Sequence, residues 1–114
     1  MRKILLALGL LLLGNAAVYA HAFLDHANPR VGSTVRTAPR EVTLWFTQKL
    51  EPSFSSAQVT DASGARVDQG ARAEGMQLHV ALKSLASGTY RVRWKVLSVD
   101  THTTEGSFTF RVGQ

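Results

Sequence analysis

Tyr90-Arg91-Val92-Arg93-Trp94-Lys95-Val96 alternates without a break, with Tyr90, Val92, Trp94 and Val96 facing one way and Arg91, Arg93 and Lys95 the other. A period of two with aromatic and β-branched residues on one side marks a strand that buries one face. Ser87-Gly88 supplies the turn before it. Upstream, Glu41 to Gln48 repeats the pattern, with Val42, Leu44 and Phe46 inward and Thr43 and Thr47 outward. Met76, Leu78, Val80 and Leu82 alternate with Gln77, His79 and Lys83, which places Met76 and Trp94 among the expected core residues. Gln58 to Asp61 is a shorter strand, and Ala62-Ser63-Gly64 turns the chain ahead of Arg66 and Val67. Downstream, Glu105-Gly106 reads as a turn, and Phe108, Phe110 and Val112 as the last strand. Pro29, Pro39 and Pro52 fall where strands should end. Short strands separated by Gly, Pro and Ser, with no helical stretch beyond the first segment, predict an all-β antiparallel Greek-key β-sandwich.

The chain has 114 residues, 45% of them hydrophobic, which suits one core and is too short for two domains. It has no cysteine, which excludes a disulfide framework, a cysteine-based zinc site, thiol catalysis and a blue-copper centre. Arg2 and Lys3 precede an apolar run from Ile4 to Leu13, and small residues follow in Ala16-Ala17-Val18-Tyr19-Ala20. That is the layout of a secretory signal peptide cut after Ala20, the apolar run being about half of the roughly 20 residues that span a bilayer. The expected organisation is a signal peptide over 1–20 and one folded domain over 21–114. Loss of Arg2 and Lys3 lowers the formal charge of +5 by two, and the remaining surplus is spread along the chain without a basic run. Nucleic-acid binding is therefore not expected.

Cleavage after Ala20 would leave His21 with a free α-amine beside its imidazole, a ready chelate for one metal ion. The parity of the strand from Tyr90 continues outward to Ser98, Asp100 and His102 on the same side. Burial of a carboxylate there without a partner would cost several kcal/mol, in round terms about 2–7 for even a neutral polar group, so either the strand turns away or the pair sits at an open rim with something to bind. Residues i and i+2 of an extended chain lie about 6.5 Å apart on one face, near enough to converge on an ion. His21, Asp100 and His102 together offer an amine, two imidazoles and a carboxylate, a set that suits Cu(II) better than magnesium or calcium and that zinc would also accept. His79 falls on the polar face of its strand and is expected to be exposed without a role, while His26 is expected to be an outer-sphere or surface residue. Phe23 at the third mature position lacks the histidine of the unstructured amino-terminal copper motif, and a methionine-rich Cu(I) loop is missing, so the site should take Cu(II) only.

The chain resembles the CopC family of periplasmic copper-binding proteins over essentially its whole mature length. The resemblance is carried by His21-Ala22, the segment from Leu24 to Pro29, Val42-Thr43-Leu44-Trp45-Phe46, the run from Tyr90 through Ser98-Val99-Asp100-Thr101-His102, and Gly106-Ser107-Phe108-Thr109-Phe110-Arg111-Val112. It implies an Ig-like or cupredoxin-like sandwich of about seven strands that sequesters or carries copper in the periplasm. It also implies one Cu(II) per chain held by the amine and imidazole of His21, the carboxylate of Asp100 and the imidazole of His102. A monomer is expected, with no enzymatic activity and with a CopD-type inner-membrane copper transporter as the partner the resemblance suggests. Relatives often place a glutamate where this chain has Gln48, a neutral amide that adds no charge near the metal. Two other readings stay in view: a copper-dependent redox enzyme built on the amino-terminal histidine chelate, and an Ig-like interaction module without metal.

Overall fold

The structure is a computed structural model that describes residues 23–113. Among these residues eight strands form: β1 (Leu24–Asn28), β2 (Thr34–Val35), β3 (Glu41–Phe46), β4 (Ser56–Thr60), β5 (Asp68–Glu74), β6 (Gln77–Leu82), β7 (Gly88–Leu97) and β8 (Thr103–Val112). A short 3-10 turn at Pro52–Phe54 precedes β4, with proline at a position where its missing N–H costs nothing. One sheet has the order β1-β3-β6-β5 and the other β2-β8-β7-β4. The two pack face to face as a β-sandwich, as the alternation predicts. Every pairing is antiparallel apart from β2 with β8, where Thr34 and Val35 run parallel to Arg111 and Val112. That parallel pair, and the strands β1, β2 and β5, are not signalled by alternation, because each is very short, bulged or at a sheet edge.

The core is built from the inward residues of the regular strands. Val42, Leu44, Leu78, Val80, Val59, Val92, Val96 and Phe110 are completely buried. Tyr90 stacks on Phe110 with ring centroids 5.6 Å apart, and its hydroxyl donates to the Ala86 carbonyl at 2.5 Å, which pins the chain entering β7. A tyrosine bonded back to the backbone just upstream is a recurring corner device of Ig-like sandwiches. Asp68 ties the two sheets together: its carboxylate accepts the Val59 N–H at 2.9 Å and an Arg66 Nη2 bond at 2.7 Å.

Three expectations are corrected here. Met76 is half-exposed and not in the core, because the chain reverses at Gly75, whose φ of 62° places Met76 in the β5–β6 turn before alternation begins. Its backbone is still used, since the Met76 carbonyl accepts the Phe46 N–H at 2.8 Å. Glu105 and Gly106 lie inside β8 opposite Lys95 and Trp94, so they are not a turn. Gly106 is there for close approach: a Cβ at that position would stand 2.6 Å from Trp94 Cζ2. Trp94 does face inward, packing edge-on against Phe46 at 5.1 Å, but it is only partly buried.

Candidate metal centre

The β7–β8 connection carries Asp100 and His102, and its geometry follows from two backbone bonds. The Ser98 N–H donates to the His102 carbonyl at 3.0 Å, and the Thr101 N–H donates to the Ser98 carbonyl at 2.9 Å. Val99, Asp100 and Thr101 thus form a three-residue hairpin loop whose last residue is left-handed, Thr101 having a φ of 71°. A β-branched residue in that region is strained by about 1–2 kcal/mol, a feature that clusters at functional sites. Of the two outcomes the parity of β7 leaves open, a strand that turns away or a pair at an open rim, the first is found: the strand ends at Leu97, and the turn brings the two side chains together, with His102 Nδ1 3.5 Å from Asp100 Oδ1.

Ser98 supports this arrangement from below. It is completely buried, and its hydroxyl donates to Asp100 Oδ1 while lying 3.2 Å from the His102 carbonyl oxygen. The hydrogen bond from Ser98 holds the Asp100 carboxyl below its ordinary range, burial opposes this, and the neighbouring His102 adds to the lowering through a hydrogen bond and its charge. Asp100 is therefore an ionised oxygen donor at neutral pH, beside an imidazole that is about half-exposed.

A neighbouring segment holds the tip in place. The Lys49 carbonyl accepts the Val99 N–H at 3.0 Å, Leu50 bridges to Ser98, and the Leu97 carbonyl accepts the Glu51 N–H at 2.8 Å. Two residues before Lys49, Thr47 bonds reciprocally with the start of the described chain: the Phe23 N–H donates to Thr47 Oγ1 at 2.9 Å, and the Thr47 N–H donates to the Phe23 carbonyl at 3.0 Å. Phe23 and the Asp100–His102 tip are thus anchored to the same short segment at one end of the sandwich. Gln48 lies within that segment and is half-buried. His21 lies outside the described residues, as does the whole of 1–20. Among the described residues no group of three or more His, Cys, Asp or Glu side chains is arranged to hold a metal ion, so Asp100 and His102 stand as an O,N pair.

The remaining histidines lie on the outward face of the β1-β3-β6-β5 sheet. His26 stacks on Trp45 with centroids 4.3 Å apart and planes 10° apart, and its Nδ1 is 2.7 Å from Asp25 Oδ2. Asp25 is the extra residue of a bulge, since Leu24 pairs with Phe46 and His26 with Trp45. His79 departs from expectation: it is largely buried, bonded through Nδ1 to Glu41 Oε1 at 2.8 Å and near Thr43 Oγ1. The cross-strand neighbours Thr43 and Arg72 cover it, a register that one strand read alone does not reveal. That hydrogen bond is the main reason the Glu41 carboxyl is held low.

Fold and site define an all-β sandwich with a nitrogen and oxygen donor pair at one end. The CopC domain model matches residues 24–113, and the chain belongs to the CopC family. Protein YobA of Escherichia coli K12 is 39% identical over 101 residues, covering 84% of this chain and 82% of that one. Copper resistance protein C of Xanthomonas campestris pv. juglandis is 36% identical over 110 residues, covering 88% and 86%. The crystal structure of CopC from Methylosinus trichosporium OB3b superposes with a TM-score of 0.77 at 36% identity, covering 81% of this chain and 93% of that chain. The family is copper-related, and so is the function of this chain.

Proposed function

We propose that this chain is a periplasmic Cu(II)-binding protein that buffers copper or delivers it, holding one Cu(II) through the α-amine and imidazole of His21, the Asp100 carboxylate and the His102 imidazole. The observation that carries the reading is the hairpin tip, where an ionised Asp100 lies 3.5 Å from His102 Nδ1 at the end of the sandwich to which Phe23 is anchored. His21 precedes Phe23 by two residues, a reach of at most about 7 Å. An amine, two imidazoles and one carboxylate form a hard-to-borderline set suited to a tetragonal Cu(II) plane. The signal peptide over 1–20, with cleavage after Ala20, supplies the free amine and the periplasmic location. The protein acts as a monomer without catalytic activity and passes copper to a CopD-type membrane transporter. The copper-resistance name of the Xanthomonas relative supports the metal.

The test is a competitive Cu(II) titration of the chain beginning at His21, beside His102→Ala and Asp100→Asn. Loss of an outer-sphere partner alone weakens metal sites about 10–100-fold, so each ligand substitution should weaken Cu(II) binding by about a hundredfold or more. Unchanged affinity in both variants overturns the site. Oxygen consumption with ascorbate above that of free copper would favour the redox-enzyme reading instead.

A further inference from the structure

The two outward faces of the sandwich carry opposite charge. On the face of β4, β7 and β8, cross-strand pairing sets Ser56, Lys95 and Glu105 in one row, Gln58, Arg93 and Ser107 in the next, and Thr60, Arg91 and Thr109 in a third. Arg111 extends the face beside Thr89 and Thr34. Arg91, Arg93, Lys95 and Arg111 are all exposed, and among the described residues none of them is in an ion pair. Glu105 is the one acid against these four cations. The opposite face, of β1, β3, β6 and β5, carries Glu41, Glu74 and the bulged Asp25 against Arg72 and, just past the end of β6, Lys83. In sequence the basic surplus looks scattered. The period of two collects it, because Arg91, Arg93 and Lys95 repeat on one side of β7 at about 6.5–7 Å.

Adjacent unpaired cations repel one another, so this face works against the folded state unless something anionic covers it. The occupant must be held by charge, since none of the exposed large apolar residues Phe23, Val31, Phe54, Met76 and Val99 belongs to the strands β2, β4, β7 or β8. A broad, apolar-free cationic surface matches a plane of many phosphates better than it matches one small ligand. We propose that this face rests on an anionic lipid bilayer, with Arg91, Arg93, Lys95 and Arg111 among the phospholipid headgroups. The β7–β8 hairpin then lies along the bilayer, and its Asp100–His102 tip opens sideways, clear of lipid. This proposal does not depend on copper being bound there.

The test is flotation of the chain beginning at His21 with vesicles of phosphatidylglycerol and phosphatidylcholine in equal parts, and with phosphatidylcholine alone. That length suits the experiment, since the solved Methylosinus relative consists almost wholly of the matched part, 93% of its chain. Binding is expected to the anionic vesicles at low salt, to be lost at high salt, and to be absent with phosphatidylcholine. At about one kcal/mol per cation near an anionic surface, the triple variant Arg91→Gln, Arg93→Gln, Lys95→Gln should bind on the order of a hundredfold more weakly. A second triple, Arg40→Gln, Arg72→Gln, Lys83→Gln, removes the same charge from the opposite sheet and its strand ends and should bind almost as the parent does. Glu105→Lys changes the charge of the face by two and should strengthen binding to the anionic vesicles about thirtyfold, with no gain on phosphatidylcholine, a selective gain that misfolding does not produce. Equal loss in the two triples, binding to phosphatidylcholine alone, or tighter binding to polyglutamate than to the anionic vesicles would each overturn the proposal.

Discussion

Replacing Gly106 by alanine tests how the hairpin that presents Asp100 and His102 is packed. The new Cβ would lie 2.6 Å from Cζ2, 2.9 Å from Cε2 and 3.3 Å from Cη2 of Trp94. The indole also meets the buried Phe46 edge-on with ring centroids 5.1 Å apart, a contact that any shift away from the new methyl would disturb. Overpacking of this kind costs about 1–3 kcal/mol. Alanine recovers about 0.5–1 kcal/mol over glycine inside a strand, which leaves a net loss of about 1–2 kcal/mol. For a domain of this size the melting midpoint should fall by about 5–15 °C, read by near-ultraviolet circular dichroism or tryptophan fluorescence. The cause is separable by a double-mutant cycle. In a Trp94→Leu background the clash is gone, so Gly106→Ala should become neutral or stabilising, a coupling of opposite sign to the single loss. Additive losses, or a Gly106→Ala midpoint equal to that of the parent, would refute the packing argument.

Asp68→Ala should cost about 1–3 kcal/mol, because it leaves the buried Val59 N–H without its acceptor; urea midpoints measure it. That loss also has a pH signature. Burial pushes the Asp68 carboxyl up, but the bonds from Arg66 and Val59 outweigh it and hold the folded value low. The parent's advantage over Asp68→Ala should therefore be complete above about pH 4, the ordinary aspartate value, and should shrink as pH falls through the lower folded value. An advantage that grows in acid would contradict the assignment. Tyr90→Phe removes the bond to the Ala86 carbonyl and should cost about 1 kcal/mol in a thermal melt without changing the fold. Copper affinity should fall as pH is lowered from 7 to 5, since protons compete for imidazole and amine with ordinary pKa values of about 6.5 and 7.7–8.0.

Alternation made the regular strands readable. Val42, Leu44, Phe46, Leu78, Val80, Val92, Val96, Phe108 and Phe110 are all buried as their parity requires. Where a residue serves one neighbour in space, parity misleads. Gly106 reads as a turn because the sequence does not show Trp94 lying across it, and Met76 reads as core because the turn at Gly75 leaves no mark on the pattern of twos. The pairing partner of a strand is equally silent, so the cover that Thr43 and Arg72 give His79 is not visible in any one strand. For the site, Asp100 and His102 were legible as residues out of keeping with an apolar face. The cause of their convergence was not, since it depends on a left-handed Thr101, and threonine gives no signal for that conformation. The segregation of charge between faces was likewise hidden, because it arises only once β4, β7 and β8 lie side by side.

The most direct measurement is electron paramagnetic resonance of Cu(II) added to the chain that begins at His21, beside one carrying a single extra alanine before His21. An amine-terminated site predicts one type 2 signal with nitrogen couplings at one copper per chain, lost or reshaped by the extra residue. Identical spectra from the two forms, or no tight binding in either, would contradict the proposed role of His21 and with it the Cu(II) site.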